Sequence, residues 1–293
     1  MKIMTDSPIR FPGLFGDWAI TISSRAIDIG NGIYWYGILI ALGMLVALWW
    51  CMRQRTKYGI REDDLIDGLL WGIPCGIIGA RLYYVAMTWE LFRDNPVSIL
   101  YIWEGGIAIY GGVIGGAVTT ALFCKIRKIK FLKTADTAIL GLVWGQALGR
   151  WGNFFNREAF GGYTDGLLAM QLPVSAVRDS DISKELAEHI VEIGGVSYIQ
   201  VHPTFLYESL WNLVLLVILL LIRKRKKFEG EIFLLYLAGY GIGRAWIEGL
   251  RTDQLLIPGT SVAVSQVLAV VLAVVSVMML IILRKKAVSR KQQ

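Results

Sequence analysis

The sequence is poor in the residues that most catalytic and metal-binding motifs require. Its 293 residues include only two histidines and three cysteines. Cys51, Cys75 and Cys124 show no paired spacing and no metal-ligand pattern, so we interpret them as packing residues. The two histidines are His189, in a polar connection, and His202. They form neither the sequence pattern of a Ser-His-Asp triad nor a zinc motif. The sequence therefore implies no metal and no organic cofactor.

Charged residues are also scarce, whereas apolar residues are abundant. Only 18% of the residues are charged and 55% are hydrophobic. Several apolar runs reach about 20 residues, which is enough to cross the hydrocarbon core of a bilayer. The sequence therefore predicts a polytopic membrane protein. The net charge of +7 indicates no nucleic-acid partner, because lysine and arginine also determine membrane topology.

Hydropathy predicts an all-α membrane protein with seven transmembrane helices and a small external head domain. We place the spans at 33–52, 65–87, 107–124, 134–155, 203–222, 231–249 and 262–283. The predicted domains are an external N-terminal arm (1–32), transmembrane helices one to four (33–155), the external head (156–202), transmembrane helices five to seven (203–283) and a cytoplasmic tail (284–293).

Lysine and arginine are concentrated in alternate connections. Residues 53–61 carry four of them, and residues 125–133, 223–227 and 284–293 carry five each. With seven spans these four segments lie on one side, which the positive-inside rule makes cytoplasmic. We therefore expect the N-terminus outside and the C-terminus in the cytoplasm. Residues 1–32 lack the pattern of a cleavable signal.

The most informative stretch is Gly141–Gly161, which reads GLVWGQALGRWGNFFNREAFG. Its glycines at 141, 145 and 149 form a small-residue ladder that lets membrane helices approach closely. Arg150 and Asn153 are three residues apart, so a guanidinium and a carboxamide share one helix face. An arginine that reaches the membrane interface is one explanation. We favour a functional site, because the glycines place this helix among other helices rather than in lipid.

A second stretch, YGIGRAWIEGLR, places four polar side chains on one helix face. Tyr240, Arg244 and Glu248 are spaced by four, and Arg251 lies seven residues beyond Arg244. An Arg244–Glu248 ion pair that only neutralises itself would account for two of them. Because Arg150 and Arg244 are predicted at the same depth near the outer leaflet, a phosphate held by both explains the pattern better.

Weaker signals lie in the first three spans. For Arg81, inside the second span, an interhelical ion pair and a substrate contact are both open. The segment 103–116 has six glycines, which suit either close packing or a helix start with backbone N–H groups facing an anion. Tyr36 belongs to the cluster YWYG, which an interfacial aromatic belt would also explain.

The predicted head contains one helix and one strand. Asp181 or Ser183 would cap a helix running to Ile193, with Gly194 and Gly195 ending it. Residues 196–201 read as a short strand, after which HPTFLYE leads back into the membrane.

Five segments together resemble the bacterial prolipoprotein diacylglyceryl transferases. They are GRWGNFFNREAFGG, HPTFLYE, YGIGRAWIEGLR, YWYG and GGIAIYGGVIGG. The resemblance covers all seven spans in order. It implies a bacterial inner-membrane enzyme that moves diacylglycerol from phosphatidylglycerol to the lipobox cysteine thiol of a preprolipoprotein, releasing glycerol phosphate. By position it implies functional roles for Tyr36, Arg150, Asn153, Glu158, Gly161, Arg244 and Glu248.

Candidate roles follow from this chemistry. The catalytic residues are expected to be Arg150, Arg244, Tyr110 and Glu248. Phosphatidylglycerol is expected to contact Arg150, Asn153, Tyr36, Glu158, Gly161, Tyr240, Arg81, Arg251 and His202. Arginines aimed at the leaving phosphate would stabilise its growing charge, and Glu248 would orient Arg244.

The proton acceptor for the thiol stays open. Thiolate is the nucleophile, and Tyr110, Glu104, Glu158 and His202 are all candidates to take the proton. Many family members have histidine at the position of Tyr110, so a mechanism that relies on that imidazole is in doubt for this chain. Two other classes of function are also open: a transporter of an anionic solute, and a non-catalytic lipid-binding partner of a secretion complex.

Overall fold

The computed structural model describes residues 7–29, 32–257, 259–260 and 262–292. The helices are α1 (Pro12–Phe15), α2 (Trp35–Tyr58), α3 (Glu62–Met87), α4 (Ile109–Ile126), α5 (Phe131–Asn156), α6 (Lys184–Glu188), α7 (Thr204–Ile222), α8 (Glu231–Glu248) and α9 (Val264–Gln292). The strands are β1 (Ser7–Arg10), β2 (Ala19–Ile22), β3 (Arg25–Ile27), β4 (Ile33–Tyr34), β5 (Met170–Pro173), β6 (Val191–Ile193) and β7 (Val196–Val201). The chain divides into two compact units, Met1–Ala47 with Ile139–Gln293, and Leu48–Ala138.

Five helices in the described part of the chain are long and apolar enough to cross a membrane. They are α2, α3, α4, α7 and α9. Helices α5 and α8 are also long, and they occupy two of the predicted spans. Both carry charged residues within apolar sequence: α5 has Lys133, Asp136 and Arg150, and α8 has Glu231, Arg244 and Glu248. The protein is therefore mostly helical, with the apolar helices of a membrane protein.

The predicted all-α fold is confirmed only as a mostly helical one, because the first unit also contains a five-stranded antiparallel sheet in the order β2-β1-β5-β7-β6. The arm contributes β1 and β2 to this sheet, and β1 meets β5 where Arg10 pairs with Gln171. The segment 156–202 contributes the other strands, with Leu172 opposite Ile199. The arm and the head thus share one sheet.

The predicted helix ending at Ile193 is also wrong. Ser183 does cap a helix, accepting a hydrogen bond from the Leu186 N–H at 3.2 Å, but α6 ends at Glu188. Gly194 and Gly195 have φ values of 58° and 77° and join β6 to β7 as a hairpin. Two successive residues with positive φ give the turn that matches the strand twist, so these glycines connect strands. The predicted strand at 196–201 is confirmed as β7.

A hydrophobic core joins the sheet to the ends of α5 and α7. It includes Ile9, Phe154, Leu172, Ile199 and Phe205, all buried. The rings of Phe154 and Phe205 lie 4.7 Å apart. Because these rings belong to the end of α5 and the start of α7, the core fixes the two helix ends that carry the candidate site.

Close helix packing in the first unit follows the predicted glycine ladder on α5. A Cβ atom at Gly141 would lie 2.9 Å from the carbonyl oxygen of Ala47, and one at Gly43 would lie 3.1 Å from the Gly145 Cα. Helices α2 and α5 therefore approach backbone to backbone, as small residues allow. Nothing lies within 4 Å of a Cβ built at Gly149, so that glycine takes no part in the contact.

The second unit repeats this mode of packing with α3 and α4. A Cβ atom at Gly79 would lie 2.6 Å from the Gly111 carbonyl oxygen, and one at Gly115 would lie 2.8 Å from the Cys75 carbonyl oxygen. Gly111 therefore serves helix packing, whereas Gly105 and Gly106, with φ values of 92° and 70°, form the turn before α4. The predicted close packing is confirmed at Gly111 and Gly115, and the predicted turn before a helix start is formed by Gly105 and Gly106. The contact of backbone N–H groups with an anion stays a prediction.

Candidate active site

Three guanidinium groups converge on one buried carboxylate in the first unit. Glu208, on α7, is only 6% exposed. The nitrogen–oxygen distances to it are 2.6 Å from Arg150 Nε, 2.9 Å from Arg244 Nη1 and 3.8 Å from Arg251 Nη1. Helices α5 and α8 thus deliver Arg150 and Arg244 to one point, as the sequence predicts from their depth.

Sequence reasoning does not single out Glu208, although the motif HPTFLYE contains it. A signal is nevertheless present, because Glu208 is an acidic residue near the start of an apolar helix, where an unpaired charge is costly. What the sequence does not show is that its partners come from α5 and α8, which are distant in the chain. Glu208 is therefore a site residue that only the structure adds.

Arg244 is held between two carboxylates. The predicted ion pair with Glu248 is confirmed, because Arg244 Nη2 contacts Glu248 Oε2 while Nη1 contacts Glu208. The other oxygen of Glu248 accepts a hydrogen bond from the Ser265 hydroxyl at 2.5 Å. Glu248 is buried, so this second partner helps to fix its carboxylate. The geometry agrees with an orienting role for Glu248.

Arg251 lies in the turn after α8 and is paired with Asp253, a residue that the sequence analysis does not select. The two contacts measure 2.8 Å from Nε and 2.6 Å from Nη2. Burial disfavours the charge on Arg251, but the hydrogen bonds and charge of Asp253 outweigh it and raise the pKa of Arg251. Burial likewise opposes ionisation of Asp253, and the contacts with Arg251 lower its pKa overall. Two ionised partners therefore form a two-pronged pair.

Arg251 is the least exposed of the three arginines, although it lies in a turn beyond the end of α8. Its side chain is 12% exposed, against 21% for Arg150 and 18% for Arg244. Arg150 is the most open of the three. Its Nε lies 2.6 Å from Glu208, and its guanidinium donates no hydrogen bond to a residue in the described ranges. Arg150 therefore has the most N–H donors to offer an anion.

Asn153 and Glu158 form a second polar group at the end of α5. The amides of Asn153 and Asn156 donate to Glu158 Oε1 at 3.0 and 3.3 Å, and Arg178 donates to Oε2 at 3.1 Å. Arg157 has φ 54° and Ala159 has φ 57°, the left-handed conformation, and this turn brings Glu158 back toward Asn153. Such a conformation costs about 1 kcal/mol or more for a residue other than glycine, so surrounding contacts must hold it.

Tyr36 and Gly161 owe their places to close contacts. A Cβ atom at Gly152 would overlap the ring of Tyr36, so this glycine lets the first long helix lie against α5. A Cβ at Gly161 would lie 2.7 Å from the Cβ of His202 and 2.8 Å from the Leu250 carbonyl oxygen. Gly161 thus allows the start of α7 and the end of α8 to meet, which explains why this position requires glycine.

His202 lies just before α7, the helix that carries Glu208, and Tyr240 lies on α8 with Arg244. The Nδ1 atom of His202 is 3.2 Å from the Tyr207 hydroxyl, and burial lowers the pKa of His202. Its imidazole is therefore neutral at neutral pH, as a proton acceptor must be. The ring of Tyr240 stacks on that of Tyr236 with centroids 5.5 Å apart.

Arg81 belongs to the second unit and binds backbone carbonyls. Its Nε and Nη2 donate to Ile99 and Ser98 at 2.8 and 2.7 Å, and Nη1 donates to Gly105 and Gly106 at 2.7 and 2.8 Å. The predicted interhelical ion pair is wrong, because Arg81 pairs with no carboxylate in the described part of the second unit. Four of the five N–H donors of Arg81 therefore bind the loop before α4. One N–H remains for the predicted contact with lipid.

Tyr110 and Glu104 lie at either side of the turn before α4. Tyr110 is in the first turn of α4, partly exposed, with its ring 6.4 Å from that of Tyr83. Glu104 ends a short 3-10 helix and is exposed. Both belong to the second unit, whereas the arginine cluster belongs to the first.

The apolar helices and the buried arginine cluster define a membrane protein with a cationic site closed around a carboxylate. The family model described as prolipoprotein diacylglyceryl transferase matches residues 24–282 of this chain. The chain belongs to the prolipoprotein diacylglyceryl transferase family, and the resemblance seen in its motifs is confirmed.

Curated relatives extend this match over most of the chain, and those described here are each named phosphatidylglycerol--prolipoprotein diacylglyceryl transferase. The protein of Oceanobacillus iheyensis is 40% identical over 93% of this chain and 92% of its own length. That of Bacillus velezensis is 42% identical over 92% and 96%. That of Lysinibacillus sphaericus is 45% identical over 78% and 80%. The transporter alternative gains no support.

Proposed function

We propose that the protein transfers the diacylglyceryl group of phosphatidylglycerol to the thiol of the lipobox cysteine of preprolipoproteins, the first step of lipoprotein maturation. Family membership supports the reaction, and the names of the relatives support both substrates. The observation that carries the proposal on the structural side is the convergence of Arg150 and Arg244 on Glu208. Two oriented guanidinium groups in a buried setting suit a lipid phosphate.

The reaction is a displacement at carbon. The cysteine sulfur forms a bond to the glycerol methylene of the diacylglyceryl group, and the bond from that carbon to the phosphate oxygen breaks. The electron pair of the broken bond stays on the oxygen, so glycerol phosphate leaves with an additional charge. Donors aimed at this phosphate stabilise the transition state more than the bound lipid, because the charge grows as the bond breaks.

The arginines have distinct roles in this proposal. Arg150 contacts the phosphate through its two Nη groups, since only its Nε is occupied by Glu208. Arg244 adds charge from a fixed position between Glu208 and Glu248. Arg251 contacts the same oxygen of Glu208 as Arg244, at 3.8 Å, and is itself held by Asp253. Asn153, Tyr36, Gly161 and Tyr240 complete the lipid site.

His202 is the proton acceptor that the geometry supports best. Its imidazole is neutral because burial lowers its pKa, and it adjoins Gly161 in the same unit as the arginines. Glu158 is a weaker candidate, because its two oxygens are occupied by two amides and Arg178. Tyr110 is then not the base, because a phenol is a poor proton acceptor at neutral pH.

We also propose that α2, α3, α4, α5, α7, α8 and α9 all span the bacterial inner membrane. The arm, the head and the sheet they share lie outside, and the C-terminal tail lies in the cytoplasm. The basic segments support this orientation, because 53–61, 125–133, 223–227 and 284–293 then all face the cytoplasm.

The direct test is transfer by the purified protein. Phosphatidylglycerol and a peptide containing a lipobox cysteine are supplied in detergent micelles, and released glycerol phosphate and lipidated peptide are measured together. We expect both products in equal amounts, and neither with a peptide in which serine replaces the cysteine. If no glycerol phosphate is released with the serine peptide, the release seen with the cysteine peptide comes from transfer and not from lipid hydrolysis. Absence of both products with the cysteine peptide would refute the function.

A further inference from the structure

A small cavity beside the arginine cluster is lined by an amide that makes no hydrogen bond within the described part of the chain. The cavity is lined by Glu208, Trp211, Asn212, Tyr240, Gly243, Arg244 and Ile247. Asn212 is 3% exposed, yet its side chain makes no hydrogen bond with any residue that the structure describes. The amide atoms of Asn212 are not among the fully buried polar atoms that lack a partner, so the amide can bind water or a ligand group through the cavity.

The cavity offers hydrogen bonds of both kinds to a very small group. The amide of Asn212 can donate and accept, and the Tyr240 hydroxyl, which also makes no hydrogen bond within the described ranges, can do the same. The free volume is about 10 Å³, which is near the minimum for one water-sized group. A hydroxyl fits this space and these partners, because it too both donates and accepts.

We propose that this cavity binds a hydroxyl of the glycerol headgroup of phosphatidylglycerol, an assignment that rests on the proposed function. Arg244 lines the cavity and is one of the two arginines assigned to the lipid phosphate. The headgroup glycerol is joined to that phosphate by one ester bond, so its hydroxyls lie within a few bonds of the guanidinium. The cavity therefore recognises the part of the lipid that leaves with the phosphate.

This position also predicts a preference for a neutral polyol over a cationic headgroup. Asn212 is uncharged, and the one carboxylate in the lining, Glu208, is already paired with arginines. A headgroup ammonium would meet Arg244 at short range without a free anion to balance it. A headgroup without hydroxyls would leave the Asn212 amide unpaired, which is how a polar site rejects an analogue.

The test compares two lipids of equal charge. Phosphatidylglycerol and phosphatidylpropanol differ in the headgroup hydroxyls, and kcat/KM for each is measured with wild-type protein and with Asn212→Leu. We expect Asn212→Leu to lower kcat/KM about tenfold with phosphatidylglycerol, the value of about one hydrogen bond, and to leave phosphatidylpropanol unchanged. Val214→Leu, an exposed position on the same helix, should change neither.

Other outcomes overturn the assignment. Equal loss with both lipids would make Asn212 a structural residue, and no loss with phosphatidylglycerol would mean that the cavity holds only water. Binding of both lipids to protein in nanodiscs is measured alongside, through the fluorescence of the tryptophans. If the wild-type protein transfers from neither lipid, the proposed function fails. The ratio of the two binding constants, in wild type and in Asn212→Leu, then still decides whether the cavity selects the hydroxyl.

Discussion

At the scale of single residues, the site depends on the shape of the guanidinium group as well as on its charge. Arg150 and Arg244 each contact Glu208 through one nitrogen, which fixes the plane of the group. The remaining N–H donors then point in fixed directions. A lysine ammonium keeps the charge, but it cannot hold a carboxylate and a phosphate in one plane.

We therefore expect Arg150→Lys and Arg244→Lys to lower the transfer rate by about a hundredfold to a thousandfold, the usual cost of one lost transition-state donor. Arg251→Lys should also lower the transfer rate, because the Arg251 side chain is the least exposed of the three and the variant loses the two-pronged pair with Asp253. Initial rates and the amount of protein inserted in membranes are measured together. Near-normal rates for both Arg150→Lys and Arg244→Lys would remove these arginines from the mechanism.

Tyr110 provides a second prediction at this scale. A phenol has a pKa of about 10, so it is a poor proton acceptor at neutral pH but a good hydrogen-bond donor. Tyr110→Phe should lower the rate about tenfold to a hundredfold, the value of one hydrogen bond to a charged partner, and Tyr110→His should stay active. Rates are compared across pH. Complete inactivity of Tyr110→Phe with loss of the basic limb of the profile would make Tyr110 a proton-transfer residue.

Much of the candidate site is predictable from helical spacing alone. Arg150, Arg244 and Glu248 follow from charged residues in apolar helices, and the Arg244–Glu248 ion pair follows from a spacing of four. Glu208 does not, because its partners Arg150 and Arg244 are distant in the sequence and meet only when the chain folds. Asp253 lies two residues from Arg251 in the turn after α8, where helical spacing no longer applies. Arg81 shows the opposite limit. An arginine inside an apolar span predicts that polar partners exist, but the sequence does not show whether these partners are a carboxylate or backbone carbonyls, as they are here.

At the scale of helices, a second buried ion pair joins the start of α8 to the C-terminal part of α9. Glu231 is fully buried, and its Oε1 accepts from Arg284 Nε at 2.6 Å and contacts Nη2 at 2.5 Å. Its other oxygen accepts from the Lys227 backbone N–H at 2.5 Å. The pair thus links the basic loop before α8 to the last helix.

Removing Arg284 should destabilise the protein, because it leaves a buried carboxylate without its cation. We expect Arg284→Ala to cost about 2 kcal/mol, below the range for a fully buried pair because the arginine is partly exposed. The double variant Glu231→Gln with Arg284→Ala should recover part of this loss. Thermal unfolding in detergent measures both. Equal stability of Arg284→Ala and wild type would mean that the pair does not hold the two helices.

The long helices are predictable because apolar runs of this length have few other solutions in a membrane. The sheet is not, because its strands are short and two of them lie far from the others in the sequence. Gly194 and Gly195 illustrate the difficulty, since paired glycines can end a helix or turn a hairpin. The choice depends on whether residues 191–193 find a partner strand, which they do in β7.

At the scale of the whole molecule, the positions of the basic segments predict which segments face each side of the membrane. Single cysteines are introduced at Asp179 and at Lys226 in a cysteine-free background, and intact cells are treated with an impermeant thiol reagent. Asp179→Cys should react in intact cells, and Lys226→Cys should react only after the membrane is opened. Reaction of both from the same side would contradict the seven-span topology and the external head.

In the proposed mechanism, Glu208 holds the arginines in the positions from which they stabilise the lipid phosphate. Its most direct test is the rate of glycerol phosphate release from phosphatidylglycerol by Glu208→Gln, with membrane insertion and thermal stability measured on the same preparation. Glutamine keeps the size of the side chain but not the charge that pairs with Arg150 and Arg244. We predict a loss of about a hundredfold or more in a protein that still inserts and folds. A rate close to that of the wild type would contradict the account.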